Sequence, residues 1–270
     1  MRPTRPDIAV PPFPPGETWI GGEPPVAEQL TARGPLLVHF FEVGELSSIR
    51  TLPFVAALHR GLAEAGLTVL GIHSPRSALA SRDAELEAAL GRLDVPYPVA
   101  NDRRHRIWLA YGCEGWPSTF IWGAGGTLRW VQFGEGAYHE TEAELLDQLA
   151  AEGADRPVAV LDPPRSGDGP AIERPSEEIF PGGSPDRPWR GEPGEPLEVE
   201  YAGAGAWAAL SGEGEVEIRV DGEAEDAIVV GDPGLYEVSS HPHHGLHEVA
   251  IWPRGSVQIW SVAFAPGPTP

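Results

Sequence analysis

Four histidines near the C-terminal end of the sequence come closest, in type and spacing, to a metal site. A transition-metal site needs several ligands that converge on one point. No further histidine follows this group in the remaining sequence to complete a second set of ligands. We therefore interpret the group as a solvated, histidine-rich turn, with weak or adventitious metal binding as the alternative. The four residues are His241, His243, His244 and His247.

The single cysteine, Cys113, is the other candidate for chemistry. One cysteine excludes any internal disulfide and any CxxC redox pair. A solitary thiol acts as a redox sensor or a nucleophile only where its surroundings lower the thiol pKa. The adjacent Glu114 and the absence of lysine argue against such surroundings. The sequence favours a structural thiol and leaves, as the alternative, a one-cysteine thiol oxidoreductase that uses Cys113 with an external thiol.

The composition excludes several functions. The 270 residues carry 40 acidic and 19 basic side chains, and every basic one is arginine. Without lysine, the chain has no Walker-type phosphate loop and no Schiff-base or pyridoxal-phosphate chemistry. A formal charge of −21 makes nucleic acids and anionic membranes poor partners. With no apolar run of signal-peptide or membrane-spanning length, we expect a cytoplasmic protein with no cofactor.

Two kinds of pattern divide the chain into an N-terminal and a C-terminal part. Short apolar runs alternate with segments of helical spacing up to residue 151, which predicts a parallel core closed by an antiparallel hairpin. The predicted strands are 36–41, 67–72, 96–100, 118–122 and 128–133, and the predicted helices are 47–65, 80–93, 103–111 and 141–151. Ser47 and Ser48 are the predicted caps of the first of these helices.

After residue 195 the pattern changes to short alternating runs separated by glycine and proline, which is typical of a small antiparallel β-sandwich. In one run Trp260 follows Ile259, and strict alternation would allow only one of the two to face the core. The predicted organisation is a Pro/Gly-rich arm at 1–34, an α/β domain at 35–151, a Pro/Gly/acidic linker at 152–195 and the sandwich at 196–267.

Several short segments give the chain a resemblance to known proteins. In the N-terminal part they are VHFF at 38–41, IRTLP at 49–53, GIHSP at 71–75, YPVAND at 97–102, WPS at 116–118 and GEGAY at 134–138; in the C-terminal part they are SEEIFPG at 176–182 and GLY at 234–236. In their order and spacing they resemble the thioredoxin-like proteins of the TlpA and redoxin type, most closely the DipZ-like branch. The resemblance implies an α/β thioredoxin-like fold, a central mixed sheet flanked by helices, followed by a small jelly-roll-like β-sandwich. It also implies that the histidine-rich stretch is a hairpin turn between two strands.

The resemblance implies a departure at the site of chemistry. The two positions that carry the CxxC thiols in the family are Glu45 and Ser48. Neither residue can form a disulfide, and thiolate attack requires sulfur. Pro117 matches the cis-proline of the family, beside a groove where substrates pair in extended form, and Trp116 precedes it.

These observations predict a redox-degenerate thioredoxin-fold protein that acts as a peptide- or ligand-binding or scaffolding module. Its groove residues would be Glu45, Ser48, Trp116 and Pro117, and its partner a protein, a peptide or a small ligand. The one-cysteine oxidoreductase and metal binding by the C-terminal histidines stay open as alternatives.

Overall fold

A computed structural model of the chain describes residues 8–32, 34–151, 159–161, 172–191 and 194–269. Much of the predicted linker, at 152–158 and 162–171, and the start of the predicted arm, at 1–7, lie outside these ranges. Among the described residues, none of the helices is long and apolar enough to cross a membrane.

The N-terminal part alternates strands and helices. Its elements are β1 (Thr18–Ile20), α1 (Ala27–Leu30), β2 (Leu36–Phe41), α2 (Leu46–Leu62), β3 (Thr68–His73), α3 (Asp83–Arg92), β4 (Val99–Asn101), α4 (Arg106–Tyr111), β5 (Ser118–Trp122), β6 (Leu128–Phe133) and α5 (Tyr138–Ala151).

These strands form one mixed sheet in the order β1-β4-β3-β2-β5-β6. Strand β3 runs parallel to both β2 and β4, whereas β5 and β6 are antiparallel additions on the other side of β2. The predicted mixed sheet flanked by helices is confirmed. Strand β1 is an addition from the Pro/Gly-rich arm, and it pairs antiparallel with β4. Besides Trp19, the arm residues Val10, Phe13 and Leu30 also pack against the core of this part.

The core of this part forms around β2, because a central strand is covered on both faces. All six residues of β2 are buried, including the polar His39. Helix α2 buries Leu52, Val55 and Leu58, which recur at helical spacing. It begins at Leu46, so the predicted caps Ser47 and Ser48 lie inside its first turn rather than in front of it.

The C-terminal part is all β, as predicted. Its strands are β7 (Ile172–Glu173), β8 (Leu197–Ser211), β9 (Gly214–Val220), β10 (Glu223–Ala224), β11 (Ile228–Val230), β12 (Gly234–Pro253), β13 (Gln258–Phe264) and β14 (Gly267–Pro268). The main sheet has the order β10-β9-β12-β8-β13, with β11 paired to β9, while β14 pairs with β7.

Two long strands, β8 and β12, run through this sheet. Where the sequence pattern predicts short runs separated by turns, the structure has two strands of 15 and 20 residues. Residues 234–240 of β12 pair with 205–210 of β8, the half of β8 that also pairs with β13. Residues 245–251 of β12 pair with the other half of β8, and 249–253 pair with β9. Residues from both halves share one core, which is how two long strands supply both layers of a sandwich.

The expectation that only one of Ile259 and Trp260 faces the core is wrong, because β13 has a bulge at this point. The pairing of β13 with β8 shifts between Ile259 and Ser261, so the alternation of side chains is interrupted at this point. Ile259 is fully buried and Trp260 is only 9% exposed, so both reach the interior. The Trp260 indole N–H donates to the Ser211 hydroxyl at 2.8 Å, which satisfies its polar atom.

The chain divides into two compact units that do not follow these two parts. The first unit comprises Met1–Glu42, Ser47–Pro75 and Leu93–Arg165, and the second comprises Val43–Leu46, Arg76–Arg92 and Ser166–Pro270. Contacts within the second unit explain its composition. Arg76 donates to the Glu178 carboxylate at 2.6 and 2.7 Å and to the Gly44 carbonyl at 2.9 Å. Arg92, at the end of α3, lies 4.4 Å over the Tyr236 ring.

Candidate functional site

The start of α2 holds the two residues that stand where a CxxC pair would lie. Glu45 directly precedes the helix and is half-buried. Ser48 is fully buried, and its Oγ accepts a hydrogen bond from the Glu42 backbone N–H at 3.2 Å. The Ser48 hydroxyl therefore supports the backbone at the end of β2 and does not line an open groove.

The segment before β5 holds the other two predicted groove residues. The Trp116–Pro117 peptide bond is cis. Pro117 is buried, whereas Trp116 is half-buried and its indole N–H donates to the Ser74 carbonyl at 3.0 Å. The Trp116 ring packs against Trp108 of α4 with centroids 4.4 Å apart. Beside Trp108 in the chain, Leu109 is 74% exposed.

We call Trp108, Leu109 and Trp116 together the tryptophan surface. Asp102 positions the helix that carries two of its members. The Asp102 carboxylate accepts the backbone N–H groups of Ile107 and Trp108 at 3.2 and 2.8 Å. Carboxylate acceptors of this kind satisfy the free N–H groups in the first turn of a helix.

The only thiol is poorly suited to nucleophilic chemistry. Cys113 packs against the core of the N-terminal sheet. Burial raises the pKa of the Cys113 thiol well above its usual range, an effect that the hydrogen bond from Ser118 reduces and the charge of Asp102 increases. The thiol is therefore protonated at neutral pH, which contradicts the lowered pKa that a one-cysteine oxidoreductase requires.

Sequence reasoning missed a buried polar group next to the start of α2. His73, the last residue of β3, is fully buried with its Nε2 atom 4.0 Å from Oε1 of the buried Glu42. Its Nδ1 atom lies 3.4 Å from the Asn101 side-chain oxygen. Burial lowers the pKa of His73 to about 4, and that of His39 in β2 to about 3. The signal that could have revealed them is a histidine inside or at the end of an otherwise apolar strand.

The structure corrects the interpretation of the C-terminal histidines as a turn. All four lie within β12, because the pairing of β12 with β8 continues on both sides of a bulge between Ser240 and Gly245. The His241 and His247 rings are stacked, with centroids 3.6 Å apart and planes 2° from parallel.

Each ring of this pair has its own polar partner. His241 Nε2 lies 3.0 Å from the Tyr201 hydroxyl, which is itself 2.7 Å from Ser239 Oγ. His247 Nδ1 lies 2.8 Å from the Asp221 carboxylate. The nitrogen lone pairs of an imidazole lie in the ring plane, so two parallel stacked rings cannot direct them at one ion between the rings.

The remaining two histidines do not complete a metal site. His244 Nε2 lies 3.7 Å from Glu173, and His243 is exposed. In the part of the chain that the structure describes, no group of three or more His, Cys, Asp or Glu side chains is arranged to hold a metal ion.

No family model matches the chain. The chain is similar to Protein DipZ from Mycobacterium bovis and from Mycobacterium tuberculosis, at 29% identity over 133 residues in each case. These matches cover 48% of this chain and 19% of each DipZ protein. NHL repeat-containing protein 2 from Homo sapiens is 28% identical over 146 residues, which cover 53% of this chain and 20% of that protein. The chain thus spans about a fifth of the length of the curated relatives it matches.

The first sheet has the mixed topology, flanked by helices, that the resemblance to thioredoxin-like proteins implies. The N-terminal part of the chain has a thioredoxin-like fold and lacks a CxxC pair. Among solved structures, a thioredoxin-like protein in its oxidized form is 23% identical with a TM-score of 0.47, over 56% of this chain and 97% of that one. A thiol-disulfide isomerase from Corynebacterium glutamicum is also 23% identical, with a TM-score of 0.43, over 49% of this chain and 91% of that one.

Within the thioredoxin-like fold, the predicted groove residues have different surroundings. Trp116 is half-buried and reaches the tryptophan surface, whereas Ser48 and Pro117 are buried. Glu45 is half-buried at the start of α2.

Proposed function

We propose that this chain is a binding module built on a thioredoxin-like fold, which holds an extended peptide at the tryptophan surface and performs no disulfide exchange. The observation that carries this proposal is that the chain has a single thiol, which is protonated at neutral pH. The chain has one cysteine, and burial raises the pKa of its thiol well above the usual range. Glu45 and Ser48 occupy the positions where the exchange chemistry would need thiols.

The loss of exchange follows from the chemistry of sulfur. Disulfide exchange proceeds by attack of a thiolate, and a second thiol must then resolve the mixed disulfide. Cys113 is disfavoured as a thiolate by its burial. Ser48 Oγ accepts a hydrogen bond from the Glu42 amide, and a hydroxyl cannot replace the missing sulfur in disulfide exchange.

The shape of the tryptophan surface supports peptide binding. The Trp116 indole is held in place by its hydrogen bond to Ser74 and by its contact with Trp108. A rigid, half-buried aromatic pair offers apolar area that loses little side-chain entropy on binding, and Leu109, the next residue after Trp108, adds an exposed apolar side chain.

The backbone beside this surface also suits an extended partner. Among the described residues, the Trp116 backbone N–H and carbonyl have no hydrogen-bond partner. An extended peptide can pair with such free main-chain groups while its alternate side chains contact apolar pockets.

A peptide-binding measurement tests the proposal. Fluorescently labelled, unstructured decapeptides with apolar residues at alternate positions should bind the wild-type chain with a saturable change in anisotropy. We expect Leu109→Glu to weaken this binding by about tenfold or more, because it places a charge in the apolar contact. Leu246→Glu is the matched control, since Leu246 is 85% exposed on β12. Cys113→Ser should bind as the wild type does.

Two outcomes would contradict the proposal. If Leu246→Glu weakens binding as much as Leu109→Glu does, or if no decapeptide binds, the tryptophan surface is not the binding site. If the wild-type chain reduces insulin disulfides and Cys113→Ser abolishes that turnover, the chain is an oxidoreductase.

A further inference from the structure

A polar cavity of about 220 Å³ lies beside β1, and one of its lining residues, Arg106, is on the same helix as Trp108 of the tryptophan surface. One wall comes from the arm and β1, through Gly16, Glu17 and Thr18. The other wall comes from the end of β4 and the loop into α4, through Asn101 and a run of arginines. The arginines that line the cavity are Arg103, Arg104 and Arg106.

The formal charge of the cavity lining is opposite in sign to that of the whole chain. The protein has 40 acidic residues, 19 arginines and a formal charge of −21. The cavity lining carries three arginines against one carboxylate, Glu17, which leaves a formal charge of +2. A local excess of positive charge on so acidic a chain concentrates anions at this point.

One of the three arginines is a fixed part of the wall. Arg106 Nε donates to the Glu17 carboxylate at 2.7 Å, and its Nη2 atom forms a second, short contact with the same oxygen. Nη2 also donates to the Pro15 carbonyl at 2.9 Å. These bonds tie the arm to the start of α4 and hold the cavity open between them.

The other two arginines are exposed. Arg104 has no hydrogen-bond or ion-pair partner among the residues that the structure describes. The loop that carries both is ordered by its own bonds, since the His105 N–H donates to the Asp102 carbonyl at 2.9 Å. His105 itself adopts a left-handed conformation with φ of 53°, which sets the direction of the chain between Arg104 and Arg106.

We propose that this cavity binds a phosphate oxyanion, either free or as the monoester of a small molecule. The planar guanidinium group donates two parallel hydrogen bonds to a phosphate, which a point charge cannot do. A formal charge of +2 matches a phosphate dianion better than a single carboxylate. Cavities that enclose drug-sized ligands have volumes of about 300–1,000 Å³, so the smaller volume here suits a phosphate group with few further atoms.

Calorimetric titration with inorganic phosphate, against chloride at the same ionic strength, tests this site. We expect saturable binding of one phosphate per chain. The double variant Arg103→Gln with Arg104→Gln should weaken it by about tenfold or more, because two donors to the anion are removed. The matched control, Arg82→Gln with Arg254→Gln, removes the same charge from two exposed arginines outside the cavity and should bind phosphate as the wild type does.

Titration with glycerol 3-phosphate separates the two sources of the anion. If the ester binds with the same dependence on Arg103 and Arg104, the site accepts a phosphorylated small molecule; if only inorganic phosphate binds, the ligand is the free ion. Three results would overturn the proposal: no saturable binding, equal loss of binding in the control double variant, or acetate binding as tightly as phosphate. Far-ultraviolet circular dichroism of both double variants checks that the fold is intact.

Discussion

The start of α2 and the bulge of β12 differ in what each lacks. At the start of α2, the thioredoxin-like scaffold is present, but the two positions that carry the CxxC thiols in the family hold Glu45 and Ser48. At the bulge of β12, metal-ligating side chains are present, but His241 and His247 stack face to face and each bonds to a different polar group. The first region has the geometry without the chemistry, and the second has the side chains without the geometry.

This difference shows that residue type and backbone arrangement are separate requirements for a site. A scaffold survives the exchange of its reactive residues when the new side chains can satisfy the local backbone, as the Ser48 hydroxyl does for the Glu42 amide. Ligand-type residues that are close in sequence can still point apart, because successive residues of a strand alternate and a bulge disturbs that alternation.

The largest effect should come from restoring sulfur to the scaffold. In the double variant Glu45→Cys with Ser48→Cys, we expect insulin-reduction turnover to rise from background to about tenfold above it or more. The N-terminal end of a helix stabilises a thiolate, and α2 has no acidic residue in its first turn. The single variant Ser48→Cys is the control, since one thiol cannot resolve a mixed disulfide. A double variant that oxidises but shows no turnover would mean that the scaffold has lost more than its cysteines.

Acid should destabilise the N-terminal sheet through its buried histidines. The pKa values of His39 and His73 are lowered in the folded state, to about 3 and about 4, from about 6.5 in the unfolded state. Between pH 6.5 and about 4 the unfolded state therefore binds more protons, so the free energy of unfolding falls as the pH falls. Each histidine contributes a slope of about 1.4 kcal/mol per pH unit in this window, and the stability is fully present above pH 6.5.

Urea denaturation from pH 7 to pH 4.5 measures this slope. His39→Leu should reduce the slope by about 1.4 kcal/mol per pH unit, since the replacement does not titrate. Val38→Ala, which truncates a buried side chain of the same strand that does not titrate, should leave the slope unchanged. An unchanged slope in His39→Leu would show that His39 is not buried as a neutral group.

Two buried serines, Ser48 at the start of α2 and Ser239 in β12, allow the two regions to be compared by the same substitution. Ser48 accepts one backbone N–H, whereas Ser239 accepts the Ala206 N–H at 2.9 Å and also contacts the Tyr201 hydroxyl. We expect Ser48→Ala and Ser239→Ala each to lower the free energy of unfolding by about 1–3 kcal/mol, because a buried N–H loses its partner.

Ser239 belongs to a side-chain network with Tyr201 and His241. Ser239→Ala and Tyr201→Phe should therefore be non-additive by about 0.5 kcal/mol or more. Ser184→Ala, a half-buried position, is the control and should change the free energy of unfolding by less than about 0.5 kcal/mol. Additive effects at Ser239 and Tyr201 would show that the network does not act as a unit.

The smallest effect should be that of zinc on the histidines of β12. One equivalent of zinc should raise the free energy of unfolding by less than about 0.5 kcal/mol, because parallel rings do not direct two nitrogens at one ion. Equilibrium dialysis with a metal assay provides an independent measure. Stoichiometric zinc that is lost in His241→Ala would establish a metal site that the stacked arrangement does not offer.

Local patterns predicted the thioredoxin-like part well. The predicted strands at 118–122 and 128–133 match β5 and β6, and the helices lie within a few residues of their predicted bounds. Buried strands and amphipathic helices leave a signal in consecutive residues, so they can be found without knowledge of the fold. Strand β1 could not, because three residues among prolines and glycines become a strand only when β4 pairs with them.

The C-terminal part was harder to predict from its sequence, because here too the pairing between strands decides where each strand begins and ends. Glycine and proline at intervals favour turns, but β8 and β12 pair on both sides of two register shifts, so the irregular residues form bulges within the strands. The predicted hairpin turn at the histidines is therefore part of a continuous strand. The bulge at Trp260 is likewise a product of pairing with β8 rather than of local preference.

By itself, the sequence determined the order of elements from β2 to α5 in the thioredoxin-like part, the all-β character of the C-terminal part, and the absence of a second thiol. Each of these depends on residue types and on spacings within one segment. Only the tertiary structure decided that Ser48 is buried, that Cys113 packs against the core with a raised thiol pKa, that two of the histidines stack, and that Arg103, Arg104 and Glu17 line one cavity. Burial, pKa and the convergence of side chains depend on contacts between segments far apart in the chain, and no local pattern records which segments will meet.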